Sequence, residues 1–193
     1  MLTYGLCDLA VAEEFEGFQC SQFYTEKEWW YIDNIAKWLL LNVFDVNTRN
    51  LFISRMWQQP YAMMEAKIDA ILNKTEKETD TKYLLYSAHD HQVANLVRWL
   101  SPSNTPWNTI AFAASVVMEL HYDKDCLATK NDRSCFFTYT FLNGERMSFS
   151  PCTAQFADEV EYCNYDVFMR HLNEIKMKGD LDAACYDKFV PLR

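Results

Sequence analysis

Positive charge is the scarcer of the two signs in this sequence. Its 18 Lys and Arg stand against 27 Asp and Glu, giving a net charge of −9 and a pI near 4.9. An acidic chain is repelled by phosphate backbones and anionic bilayers, which argues against nucleic acid or anionic membrane as a partner. An anionic substrate would need a local positive site, and the sequence offers little of one. No apolar run approaches the ~20 residues a membrane helix needs, so no membrane span is expected. The cysteines at 7, 20, 126, 135, 152, 163 and 185 include no C-x-x-C pair, the spacing that would suggest zinc. No metal or other cofactor is implied. The opening residues, with Glu13, Glu14 and Glu16 close behind, do not make a signal peptide, so a secretory leader would lie upstream of Met1.

What is present is a core-forming chain. Of its 193 residues 50% are hydrophobic, and Trp29, Trp30, Trp38 and Trp57 fall in the first third, which excludes disorder. Seven cysteines exceed cytosolic usage and point to disulfides, with the odd one left as a free thiol or bonded outside the chain. Asn73-Lys74-Thr75 is a glycosylation sequon opening the polar run K-T-E-K-E-T-D-T, an exposed loop where a glycan would fit. The simplest division is a poorly determined lead-in (1–19), a helical lobe segment (20–75) and an α/β core segment (76–193).

Thr25-Glu26-Lys27-Glu28 reads as a capping box, and Trp29, Ile32, Ala36, Leu39, Leu40 and Val43 follow at helical spacing to about Phe44. That stripe is expected in the core. Asn47 to Asn50 make a break, and Pro60, tolerated only in a first turn, is expected to start a second helix running to Leu72. Further on, Ile110 to Tyr122 is β-prone, and Phe136–Leu142 and Glu145–Phe149 flank the hairpin signal Asn143-Gly144. Cys126 and Cys135 would lie at facing strand ends, close enough for a bridge. Glu119 and His121 share a strand face, but two residues are an incomplete metal site and edge polarity is the better account. His171, in a helix of roughly Tyr165 to Lys178, is expected in solvent.

The chain is organised around Lys82 to Leu100, K-Y-L-L-Y-S-A-H-D-H-Q-V-A-N-L-V-R-W-L. Tyr83, Leu84, Leu85 and Tyr86 form a short apolar run, as expected of a central strand buried on both faces. Val93, Leu96, Val97 and Leu100 then make one helical stripe. His89 and Asp90 fall between, where a sheet's carboxyl edge meets a helix amino terminus and an anion is welcome. An imidazolium can hold an oxyanion and an aspartic acid can protonate a departing alkoxide. On local grounds two readings stay open: that chemistry, or Asp90 capping the helix while His89 fills a turn.

Y-S-A-H-D closing a strand resembles the distal signature of the histidine acid phosphatase family. The preceding helical region, Pro106-Trp107, the strand V-V-M-E-L-H-Y and the cysteine-bearing tail follow in the family's order, from about Cys20 to Cys185. The resemblance implies an α/β fold with a mixed sheet, a parallel core strand carrying antiparallel additions, flanked by helices and part of a helical lobe: an incomplete histidine-phosphatase fold. It implies hydrolysis of small phosphate monoesters through a phosphohistidine, with His89 contacting phosphate and Asp90 as the general acid, in a secreted or lysosomal or vacuolar lumen. It also implies a local bridge near Cys152 and Cys163, and for Cys185 a tie to an amino-terminal half. Cys20 resembles a cysteine whose usual partner lies where this chain has Ser115. The family's nucleophile motif, R-H-G-x-R-x-P, does not occur here, so the missing amino-terminal half is an expected partner. The alternative is a catalytically inactive lumenal binding or interaction protein derived from that fold.

Overall fold

Thr25 opens the first well-specified helix as its capping box requires: the Glu28 carboxylate accepts from the Thr25 N–H at 2.8 Å, and the Glu28 N–H donates to the Thr25 hydroxyl at 3.3 Å. In the computed structural model, which describes residues 2–42, 44–77, 80–104, 110–152, 156–157 and 160–186, this helix is the second of seven. The first, α1 (Leu2–Phe15), fills most of the lead-in and buries Cys7 and Ala10. The second, α2 (Glu26–Asn42), buries only Leu40 outright. Trp29, Ile32, Ala36 and Leu39 are half-covered and Trp30 and Trp38 are exposed, so the stripe expected in the core is only partly there.

Helix α3 (Val46–Leu72) corrects the expected break. Asp45 is its N-cap, accepting from the N–H groups of Asn47 and Thr48, and the helix then runs unbroken through Pro60. The lost Pro60 N–H is outweighed because both halves of the helix feed the same core. Ile53 and Trp57 lie ahead of the proline and Ile68 beyond it, each worth about 1.5–3 kcal/mol when fully buried. Helix α4 (Asp90–Leu100) follows the expected stripe, with Val97 and Leu100 fully buried and Val93 and Leu96 partly so.

The sheet is antiparallel. Strand β1 (Val116–Tyr122) pairs with β2 (Phe136–Leu142) in the register Val116 to Leu142 and Tyr122 to Phe136. Strand β3 (Glu145–Arg146) returns along β2 through Asn143 and Gly144, whose φ values of 52° and 83° are those a tight hairpin demands. A short helix, α5 (Lys124–Thr129), joins β1 to β2. Strands β4 (Phe156–Ala157) and β5 (Val160–Glu161) form a separate pair, and β6 (Cys163–Asn164) adds to β2 before α6 (Tyr165–Ile175) and α7 (Leu181–Tyr186). Alternation along β2 turns Phe136, Thr138 and Thr140 inward onto α6, whose Phe168 and Leu172 close the core. That core joins α3 to the sheet and α6.

The central parallel strand expected over Tyr83–Ser87 is not formed. Residues 81–88 belong to no strand, every one of them is exposed, and none of their backbone groups is hydrogen-bonded among the described residues. A strand interior is held by ladders to its neighbours, and among the described residues β1 pairs with β2 along one edge while no ladder reaches this segment. Tyr83 and Leu85 are left 74% and 71% exposed, and the Tyr86 hydroxyl donates to the Gln59 side chain. Regular pairing also begins later than expected, at Val116 rather than Ile110, and Ala113 in between has φ 55°. The Pro106-Trp107 segment and Val43 lie outside the described residues.

Candidate functional site

His89 occupies the cap of α4 and Asp90 its first turn, the reverse of the local reading in which Asp90 was the cap. Extended backbone at His89 (φ −108°, ψ 165°) lets the chain enter the helix, and its N–H donates to Gln92 Oε1 at 3.0 Å. Asp90 turns to its other neighbour. Its Oδ1 accepts from the His91 N–H at 2.7 Å and lies 2.7 Å from His91 Nδ1. The family resemblance gave His91 no role. The carboxylate thus meets one imidazole one residue along the helix, while the His89 ring stands on the other side of it in sequence.

Both His89 and Asp90 are exposed and stand at the amino end of a helix, where the helix dipole favours an anion. Chemically, an acid and a ring donor sit together at the end of an apolar segment. Neither side chain lines the cleft beside Arg49 and Arg98 or the small recess beside Thr138 and Cys152. Compared with known proteins, the chain matches no family model, no curated protein and no solved structure.

Both cysteine pairs are joined. Cys126 and Cys135 are bonded with their Cα atoms 5.5 Å apart, although Cys126 sits on α5 rather than at a strand end. Cys152 and Cys163 are bonded with their Cα atoms 4.9 Å apart, and both are buried, Cys163 on β6 opposite Thr138 of β2. Cys7 is a buried free thiol whose pKa burial pushes up. The side chains of Cys20 and Cys185 lie outside the described residues. Asn73 is exposed at the carboxyl cap of α3, where an attached sugar would meet solvent.

Glu119 and His121 do share the exposed face of β1, with His121 Nε2 2.8 Å from Glu119 Oε2. The His121 ring packs between Phe137 and Tyr139 of β2. No cluster of three or more His, Cys, Asp or Glu side chains able to hold a metal occurs among the described residues. His171 is half-buried, not solvated: its Nε2 is 3.0 Å from the Leu100 carbonyl at the end of α4, and its ring lies against Phe149.

A charged cluster missing from the sequence reading ties the molecule together. Arg133 forks onto the Glu65 carboxylate at 2.9 and 3.0 Å, and the same guanidinium reaches Asp166 at 3.0 and 3.1 Å. The Tyr165 hydroxyl donates to Glu65 as well, and Arg133 lies over the Tyr165 ring. The Arg133 fork holds Glu65 below the usual carboxylate range, while burial raises the Tyr165 pKa. Partners 68 and 100 residues apart leave no local pattern to find.

Proposed function

We propose that His89 and Asp90 are one half of a centre that hydrolyses phosphate monoesters, the chain being the carboxyl-terminal portion of an acid phosphatase of the histidine phosphatase kind. The observation that carries this reading is the 81–88 segment. An apolar stretch that is solvent-exposed and unpaired among the described residues, and that ends at a helix cap bearing His-Asp, has the form of a sheet strand waiting for neighbours. Those neighbours would come with the nucleophilic histidine, on an amino-terminal half outside these residues.

In the completed centre the phosphoryl group leaves its ester oxygen for a nitrogen of that histidine. Asp90 gives its proton to the departing oxygen, and His89 donates hydrogen bonds to the phosphoryl oxygens. Water then attacks phosphorus, Asp90 takes the proton, and the histidine is freed with inorganic phosphate. No cofactor enters. The substrate is a small phosphomonoester. The two disulfides fit an oxidising compartment, and with the exposed sequon at Asn73 they support a secreted or lysosomal or vacuolar lumen.

Alone, the chain should not turn over p-nitrophenyl phosphate between about pH 4 and 6, because loss of the nucleophile in a covalent mechanism removes most of the rate. Supplied with an amino-terminal half carrying R-H-G-x-R-x-P, it should, and Asp90→Asn should abolish that rate. Robust hydrolysis by the chain alone, lost in Asp90→Ala, would overturn the divided centre. Hydrolysis indifferent to Asp90 in the complemented protein would overturn the reading of the pair.

The engagement of Asp90 with His91 favours a second reading, a non-catalytic lumenal binding protein that kept part of the fold. A stable monomer that unfolds cooperatively and gains no activity from an amino-terminal half would decide for it.

A further inference from the structure

Away from the His-Asp pair, α4 ends beside an open cleft of about 390 Å³ lined by Leu41, Asn42, Arg49, Arg98 and Ser101. Eight residues of helix put Arg98 about 12 Å beyond Asp90 along the axis. The cleft gathers two cations of a chain whose balance is acidic. Arg98 spends part of its guanidinium on the last turn of α2, bonding the Leu41 carbonyl and lying 3.2 Å from Asn42 Oδ1.

Arg49 has no such account. Its residue is only 8% exposed, and its Nε is buried without a hydrogen-bond partner among the described residues. It stands in the first turn of α3, where the helix dipole disfavours a cation. Burial first, and then the Arg98 charge, press its pKa down, with the Asp45 carboxylate pulling partly back. That carboxylate is already occupied by the N–H groups of Asn47 and Thr48. A buried, underbonded cation beside a second cation is unfavourable unless an anion completes it.

We propose that this cleft is a binding site for a small phosphorylated ligand, its dianionic phosphate held between the Arg49 and Arg98 guanidinium groups. Two guanidiniums match a dianion in charge, and their N–H forks match its oxygens. Ser101 at the rim offers a hydroxyl to the rest of the ligand, while the Asn42 amide, bonded to the Trp38 carbonyl and to Arg98, helps fix the rim; the volume falls in the range of small-molecule sites rather than that of a bare ion. This site stands whether or not His89 and Asp90 take part in hydrolysis.

The test is calorimetric titration of the chain with inorganic phosphate at constant ionic strength, with sulfate, acetate and chloride as comparators. Saturable binding of phosphate and sulfate, weakened at least about tenfold in Arg49→Gln and in Arg98→Gln, is the expected result. The double variant His89→Ala, Asp90→Asn should retain it. Because Arg98 also holds the end of α2, Arg49→Gln is the deciding variant; its guanidinium carries no bond at Nε, so circular dichroism should show the fold kept. A response equal with chloride or acetate, or one lost in the His89 and Asp90 variant while Arg49→Gln binds normally, overturns the proposal.

Discussion

The Tyr165 hydroxyl lies 2.7 Å from Glu65 Oε1, binding the first residue of α6 to the middle of α3 across 100 residues of chain. Arg133 sits on the same carboxylate, so three separate segments converge on Glu65. A carboxylate with folded-state pKa below its ordinary value of 4.5 stabilises the fold fully above that value. The stabilisation is lost as pH falls through the folded value.

Glu65→Gln should therefore cost about 1–2 kcal/mol at pH 7, the lower end of charge-assisted bonds because the Arg133 side chain is 36% exposed. It should also flatten the dependence on pH below about 4.5. Urea unfolding of wild type and variant at neutral pH and near pH 3 measures both. Equal acid slopes in the two proteins would show that Glu65 is not the linked group. Glu28, Asp45 and Asp132 have lowered pKa values too, each from hydrogen bonds within its own cap or turn, so some acid sensitivity should survive the substitution.

Local signals were the legible ones. The Thr25–Glu28 box, the α4 stripe and the Asn143-Gly144 hairpin each need only neighbours within a few residues, and each is formed. Pro60 misled because the rule against interior proline prices one lost bond and ignores the core that Ile53, Trp57 and Ile68 build across it. Tyr83–Tyr86 misled for the opposite reason. Its composition reports a preference for burial between strands, while the pairing itself depends on other segments. The His89–Asp90 pair was found from a motif, but the turn of Asp90 toward His91 depends on side-chain geometry that spacing does not encode. Arg49 and Arg98 meet only because α2, α3 and α4 pack, so no stretch of sequence announces them.

The two disulfides close short loops, with separations of 9 and 11 residues. Loop-closure entropy for about ten residues predicts a loss near 2–3 kcal/mol per bond removed. Cys152→Ser with Cys163→Ser should reach or exceed that figure because both sulfurs are buried in the core. Cys126→Ser with Cys135→Ser, on the more open α5 side, should not exceed it. Denaturant midpoints of the two double variants give the comparison. An equal or reversed order would place the core's dependence elsewhere.

Pro60→Ala restores an N–H to the middle of α3 and removes a ring crowding the carbonyl four residues back, at Met56. An interior proline costs up to about 3 kcal/mol, so the variant should be stabilised by about 1–3 kcal/mol with its denaturant slope unchanged. Loss of stability instead would mean that the ring is packed to advantage or that the helix is bent to suit it.

The exposed 81–88 segment supplies the sharpest test of the divided fold. With no backbone group paired among the described residues, its amides should exchange with solvent at nearly unprotected rates, while those of Val97 and Leu100 in α4 stay protected. Leu85→Lys should change stability by less than about 0.5 kcal/mol and should reduce self-association, because it places a charge on an apolar edge that is 71% exposed. A cost of several kcal/mol would mean that Leu85 is packed in the folded chain. When an amino-terminal half is supplied, the same amides should become slow, and Leu85→Lys should then weaken its docking. Exchange protection that arises with the added half and fails with the lysine ties the unpaired segment to the partner strands. Protection already present in the chain alone would remove the observation on which the phosphatase reading rests.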